Sequence, residues 1–223
     1  MASTDNITTT KTFSDKLKEE TKEKHKILDT HPFVKSIFAK SSESSEPSTT
    51  NTTNTTNTTT GYYLDLHLII LNEIKLILKE KSGEFPEYFK FFNKDYHQQH
   101  EVTDNLLNYK SVILLINKLH IDAYNKELLL SHMYIWWLGV LYGGQMIKRS
   151  IIKKNPDLSE YTSLIFDFDC NVKEFIVDFK SYLDDTVIHK DEFIENVNIV
   201  YTFIKNVFDE IQLNEMELKM KYN

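Results

Sequence analysis

The sequence predicts an all-α protein, a single-domain irregular helical bundle, and three observations carry that expectation. Apolar residues recur at helical spacing along most of the chain, with no sustained alternation of apolar and polar positions. Only 4 prolines and 5 glycines interrupt 223 residues, so little breaks long helices. No segment repeats at a fixed period, which favours an irregular bundle over a solenoid. A chain of this length buries an adequate core without disulfides, and its one cysteine, Cys170, can form none within the chain.

Taken in order, residues 1–12 are polar and expected to be disordered. Phe13 as a hydrophobic staple and Ser14 as an N-cap then open a helix that runs to about Thr30, ahead of Pro32. FVKSIF at 33–38 is a second apolar segment. Residues 41–60, SSESSEPSTTNTTNTTNTTT, hold no large apolar side chain and are expected to form an inserted flexible loop. Asn51, Asn54 and Asn57 each begin a glycosylation sequon there, without a signal peptide to give it meaning. Helical spacing resumes from Tyr62 to Glu80, and Pro86 opens a further helix through EYFKFFNKDYHQQHEVTDNLLNY. SVILLINKLH at 111–120 suits a short buried helix, although a strand has the same run of apolar residues. One long helix is expected from about Lys126 to Lys153, and VKEFIVDFKSYLDD and EFIENVNIVYTFIKNVFDEIQLNEMELKM complete the bundle.

The net charge of −7 speaks against a nucleic-acid partner. MASTDNITTTKTF has neither the basic start and apolar core of a signal peptide nor the arginine-rich pattern of a transit peptide. The most apolar run, Met133 to Tyr142, spans about ten residues where a bilayer needs about 20. The expectation is a cytoplasmic protein with no transmembrane segment.

Three of the five glycines, Gly139, Gly143 and Gly144, fall within six residues of the long helix. Each costs about 1 kcal/mol relative to alanine in a helix interior. Close approach of a neighbouring helix or of a ligand is what offsets such a cost. In the first helix, Leu17, Thr21, His25 and Leu28 fall along one stripe at about 100° per residue, with Lys18 and Lys22 on the side of His25. A histidine on such a face more often serves the core than a metal. Flanked by two cations, it also suits a planar anionic ligand with a metal at its centre, namely heme, whose propionates the lysines would pair with. Asp29, one turn on, is placed to hold the other ring nitrogen and fix the tautomer.

DKLKEETKEKHKILD, together with LLSHMYIWWLGVLYGGQMIKR, resembles the heme oxygenase family, whose proximal helix has the form LKxxTxxxH and whose distal helix carries HxYxxxLGDLSGGQ. The likeness runs in order through most of residues 13 to 211, with 41–60 as an insertion. It implies a heme between those two helices, with His25 as the axial iron ligand and Lys18, with Lys22 nearby, as propionate contacts. Tyr134 takes the place of a tyrosine at the heme edge. Lys180, in FIVDFKSYL, stands for a propionate-binding arginine, and Ile176 stands where the family often has a basic residue. Gly139, Gly143 and Gly144 would let the distal helix bend and bring its backbone onto the heme face. The implied activity is O2-dependent cleavage of heme to biliverdin, iron and carbon monoxide, with heme as cofactor and substrate. Because the chain carries no dinucleotide fingerprint, an electron-donor reductase of the NADPH-cytochrome or ferredoxin type is implied as partner.

The family pattern GDLSGG reads GVLYGG here, so Val140 replaces an aspartate and Tyr142 a serine. In the family that carboxylate anchors water on the distal side, and a valine neither accepts nor donates a hydrogen bond. Tyr142 and His132 are the nearest polar side chains in sequence, and each reads more simply as a packing residue. The alternative function is therefore a catalytically impaired heme-binding protein, a carrier, sensor or scaffold. A third possibility is a related helical fold that processes thiamine-like or quinone-like molecules, with His25 incidental. Trp136 and Trp137 read as core residues, His97, His100 and Glu101 as surface residues, and Cys170 as buried and inert. Lys148, Arg149, Lys153 and Lys154 suit the C-terminus of a helix, with a docking patch for an electron donor as the functional alternative.

Overall fold

Helical spacing becomes helix throughout the residues that the structure, a computed structural model, describes: 11–38, 52–81, 83–86, 89 and 105–222. Nine α-helices lie among them, with no strand. They are α1 (Phe13–Asp29), α2 (Pro32–Phe38), α3 (Thr52–Glu80), α4 (Lys110–Asp122) and α5 (Lys126–Tyr142), followed by α6 (Gly144–Lys154), α7 (Ser159–Phe166), α8 (Val172–Thr186) and α9 (Lys190–Tyr222). The all-α expectation holds, and the 111–120 run is helical.

The core is organised by two helices. On α9, Phe193, Val197, Val200, Ile204, Val207 and Ile211 recur at three- and four-residue spacing and are buried, and this helix packs on α1, α2, α4 and α5. On α5 almost every side chain is apolar, and a helix apolar all round must be enclosed. Leu129, Leu130, Met133, Trp136, Trp137 and Val140 are all buried. The Trp137 ring lies 5.0 Å from Phe89 and 5.8 Å from Phe179, so it anchors α5 to α8 by aromatic edges.

Several helix starts are held from a distance. Thr12 caps α1, its Oγ1 accepting the Asp15 amide at 3.2 Å. The cap thus falls two residues before the expected Ser14, because the Ser14 amide donates to Asp184 of α8 at 2.6 Å and so belongs to the first turn. Glu210 likewise accepts the first amides of α4, from Lys110 at 3.1 Å and Ser111 at 2.7 Å.

Four expectations need correction or placing. The loop expected over 41–60 gives way to helix from Thr52. Threonine is a poor helix former, but Thr59 and Thr60 are buried and the Thr59 hydroxyl donates to Glu215 of α9 at 2.7 Å, so a tertiary contact overrides propensity. The single helix expected from Lys126 to Lys153 is two, separated at Gly143. The short α7, entered through a 3-10 turn at Pro156–Leu158, was not expected. Residues 1–10, 39–51 and most of the helix expected after Pro86, with His97, His100 and Glu101, lie outside the described residues. Among the described residues no helix is long and apolar enough to cross a membrane.

Candidate functional site

The site begins on α1. Leu17 and Thr21 are enclosed and Leu28 nearly so, whereas the His25 side chain is 54% exposed. At about 100° per residue His25 lies roughly 60° round from the centre of that buried stripe, so it stands at its edge and not within it as expected. Its Nδ1 is 3.0 Å from Asp29 Oδ2. A carboxylate only accepts, so an Nδ1–H turned to Asp29 would leave Nε2 as the ring's acceptor nitrogen. Lys18 and Lys22 are exposed on the same side of the helix.

Across from α1 stands α5. Both helices pack on α8 and α9, and neither packs broadly against the other. Tyrosines line the approach between them. Tyr134 of α5 is half-buried, and burial raises its pKa against the opposing influence of the nearby Thr21 hydroxyl of α1. Tyr201 of α9 meets the His25 ring edge to face, with centroids 5.7 Å apart. Burial raises the Tyr201 pKa well above the usual range, with Tyr134 and Asp29 adding to it. Tyr63 of α3 is raised in the same way, first by burial and then by Asp29.

The three glycines serve different ends. A Cβ on Gly144 would lie 2.6 Å from Phe166 Cδ1, so this glycine admits α7. Gly143 is the residue at which α5 stops, its amide still donating to the Gly139 carbonyl at 3.1 Å. A Cβ on Gly139 would meet nothing within 4 Å, so the backbone there borders open space. At the end of α5, Tyr142 is 58% exposed, with Lys180 Nζ of α8 5.6 Å from its ring centroid. Tyr142 is therefore largely exposed and not enclosed against another helix as expected, its ring face turned to the Lys180 ammonium. Ile176, one turn before Lys180, is partly buried against the core.

Val140 is buried, and His132 does not compensate for it. The His132 ring turns to α4, where Nε2 is 2.7 Å from Asp122 Oδ2. Burial lowers the His132 pKa despite Asp122. The polar side chain that sequence reasoning missed is His67 of α3. Its Nδ1 donates to the Tyr63 carbonyl at 2.8 Å, and its ring lies 4.4 Å from the Tyr63 ring and 5.3 Å edge-on from Trp136, one turn before Val140. Burial pulls its pKa from 6.5 to about 4, so the ring is neutral at pH 7. The sequence signal was faint: a Tyr63 and His67 pair four apart in an otherwise apolar run.

Other candidates resolve into structure. Lys148 pairs with Asp167, Arg149 Nε donates to the Gln145 carbonyl at 3.0 Å, and Lys154 Nζ donates to the Ile37 carbonyl at 2.6 Å. Much of that basic cluster thus ties α6 to its neighbours. Cys170 is half-buried, since the turn between α7 and α8 leaves it part of its surface. A groove of about 440 Å³ lies on the other flank of α1, against α9, lined by Glu20, Lys24, Asp191, Glu195, Asn198 and Thr202 among others. It offers no aromatic wall and does not include His25. Among the described residues no three His, Cys, Asp or Glu side chains converge on a metal position, so a metal at His25 would arrive with ligands of its own.

The chain matches no protein-family model, and no curated protein matches it in sequence. Solved structures do resemble it. The heme oxygenase of Leptospira interrogans superposes with a TM-score of 0.66 at 18% identity, over 90% of this chain and 100% of that one. Heme oxygenase-1 of the cyanobacterium Synechocystis, in complex with heme, gives 0.64 at 15% identity, over 93% and 96%. The fold is that of the heme oxygenases.

Proposed function

We propose that the chain is a heme oxygenase, cleaving heme to biliverdin, ferrous iron and carbon monoxide with O2 and with electrons from a separate reductase. The observation that carries this reading is the His25–Asp29 pair, an exposed imidazole with Nδ1 3.0 Å from a carboxylate oxygen and, among the described residues, no partner on Nε2, on the first helix of this fold. The surrounding residues fit a porphyrin. Open space borders the Gly139 backbone, and the cations Lys18, Lys22 and Lys180 suit its two carboxylates. Heme, when bound, would supply the one-electron and oxygen chemistry that no side chain here provides.

The chain's own residues would act as follows. His25 Nε2 would hold the iron, and Asp29 would keep the ring in the Nδ1–H tautomer. Lys18 and Lys22 hold carboxylates from α1, and Lys180 does so from α8 as a point charge, less rigidly than a guanidinium fork. Tyr134 and Tyr201 wall the site, and Val140 with Trp136 keeps bulk water from its α5 side. Gly139, lacking a side chain, lets the α5 backbone come close.

A second reading has a specific observation behind it: Val140 is 1% exposed and brings no hydrogen-bonding group to the place where the family has a carboxylate. On that reading the chain holds heme without cleaving it. The test is the hemin complex reduced by ascorbate or a reductase under O2. Loss of the Soret band with biliverdin formed is the expected result, and a complex that persists through many electron equivalents supports the binder. Absence of any Soret shift on adding hemin would remove both readings and favour a different small-molecule substrate.

A further inference from the structure

We propose that His67 and Trp136 form an acceptor–donor pair that holds a water molecule at the α3–α5 wall of the site, supplying there the hydrogen-bond acceptor that Val140 cannot. The proposal rests on the functional reading above for its role toward heme, and on geometry alone for the pair itself.

The chemistry of each partner is fixed by its surroundings. A backbone carbonyl only accepts, so His67 Nδ1 must be the nitrogen that donates to Tyr63 at 2.8 Å, which leaves Nε2 as an acceptor. Among the described residues Nε2 has no hydrogen-bond partner. The ring sits deep enough for burial to hold it neutral, yet the residue keeps accessible surface. Both are true of a side chain on the wall of a hollow. Trp136 is 4% exposed, and its Nε1–H is a buried donor with no partner among the described residues. A buried indole N–H in a native protein is ordinarily satisfied, by water if by nothing else. The two rings meet edge to face at 84° with centroids 5.3 Å apart, so the unpartnered donor and the unpartnered acceptor sit on side chains in direct contact.

The position is what gives the pair a role. Trp136 is one turn before Val140 on α5, and Gly139 next to Val140 borders open space. On the other side, the Tyr63 ring packs against His67 with centroids 4.4 Å apart. His67 and Trp136 act through the water, so both are positioning residues.

The test uses two measurements on the full chain. In the heme-free protein, nitrogen NMR is expected to show His67 as the Nδ1–H tautomer and the Trp136 indole proton in contact with a long-lived water. His67→Leu should abolish that contact and His67→Gln, which keeps an acceptor, should restore it. An indole proton with no water contact, or one unmoved by His67→Leu, overturns the pair. In the ferric heme complex, the midpoint of the acid–alkaline spectral transition reports the role. Loss of the acceptor in His67→Leu should lower it, and loss of the donor in Trp136→Phe should raise it, each by about half a pH unit or more, the scale of one hydrogen bond. Midpoints unchanged in both variants overturn the role toward heme. A chain that takes up no hemin sinks the proposed function and the distal role with it, while the indole resonance still decides the pair.

Discussion

Two histidine–aspartate pairs in this molecule have the same chemistry and opposite surroundings. His25 and Asp29 lie one turn apart on α1, 3.0 Å between nitrogen and oxygen, with side chains 54% and 63% exposed. His132 and Asp122 join α5 to α4 at 2.7 Å with side chains 0% and 2% exposed. Around the second pair the carboxylate is saturated: Lys118 donates to Asp122 at 2.5 Å and Asn196 at 2.9 Å, while Asn196 also donates to Ser131 at 2.8 Å. Among the described residues His132 keeps one unpartnered nitrogen, Nδ1, but it is sealed inside the bundle. A carboxylate beside a histidine therefore does not by itself mark a functional site. What separates the two is whether the remaining nitrogen can be reached.

The contrast predicts its largest effect in stability. Asp122→Ala leaves Lys118 and His132 without their anion inside the core, and should cost about 3–5 kcal/mol in denaturant unfolding. Asp29→Ala breaks an exposed pair and should cost less than about 1 kcal/mol while weakening hemin binding about tenfold or more. Equal stability losses in the two variants would break the comparison.

Acid should act on the buried histidines next. The folded pKa of His67 is depressed from 6.5 to about 4, and that of His132 is also depressed by burial. For a histidine held neutral in the fold, the stability it contributes is complete above the unfolded pKa and is lost as pH falls toward the folded one. The window is thus about pH 6.5 down to 4, and His67 alone corresponds to at most roughly 3 kcal/mol across it. Asp122 behaves separately. Burial would raise its pKa, but the bonds from His132, Lys118 and Asn196 outweigh that and hold it low, so its contribution persists above about 4 and is lost only at lower pH. Unfolding free energies at pH 7 and pH 4.5 measure the histidine window, and a flat profile between them contradicts it.

The glycines sharpen the same distinction between filled and open surroundings, with smaller effects. Gly144→Ala drives a methyl group into Phe166 and should destabilise by about 1–3 kcal/mol. Gly139→Ala meets no atom, and should stabilise the heme-free protein by about 0.5–1 kcal/mol while weakening hemin binding. Stability change and hemin affinity measured together would show whether the open space is a ligand's.

The helices were legible because their apolar periodicity is local. The break at Gly143 was only half legible: the glycine cluster announced a bend, but Phe166, which requires Gly144 to be small, arrives from a helix the sequence did not suggest. Residues 52–60 read as loop because threonine propensity is local information and the Thr59 bond to Glu215 is not. Lys18, Lys22, His25 and Asp29 were readable as one face of one helix, although His25 lies at the edge of the buried stripe and not within it. His67 escaped notice because its meaning comes from Trp136 on another helix. A polar residue in an apolar run has no visible partner until the helices are packed.

The most direct measurement is hemin titration of the chain beside its His25→Ala variant, read by absorbance. The account predicts a histidine-ligated complex in the native chain, a large loss of affinity with an altered Soret band in the variant, and restoration of the native spectrum by added imidazole. An unchanged Soret band and affinity in His25→Ala would contradict it.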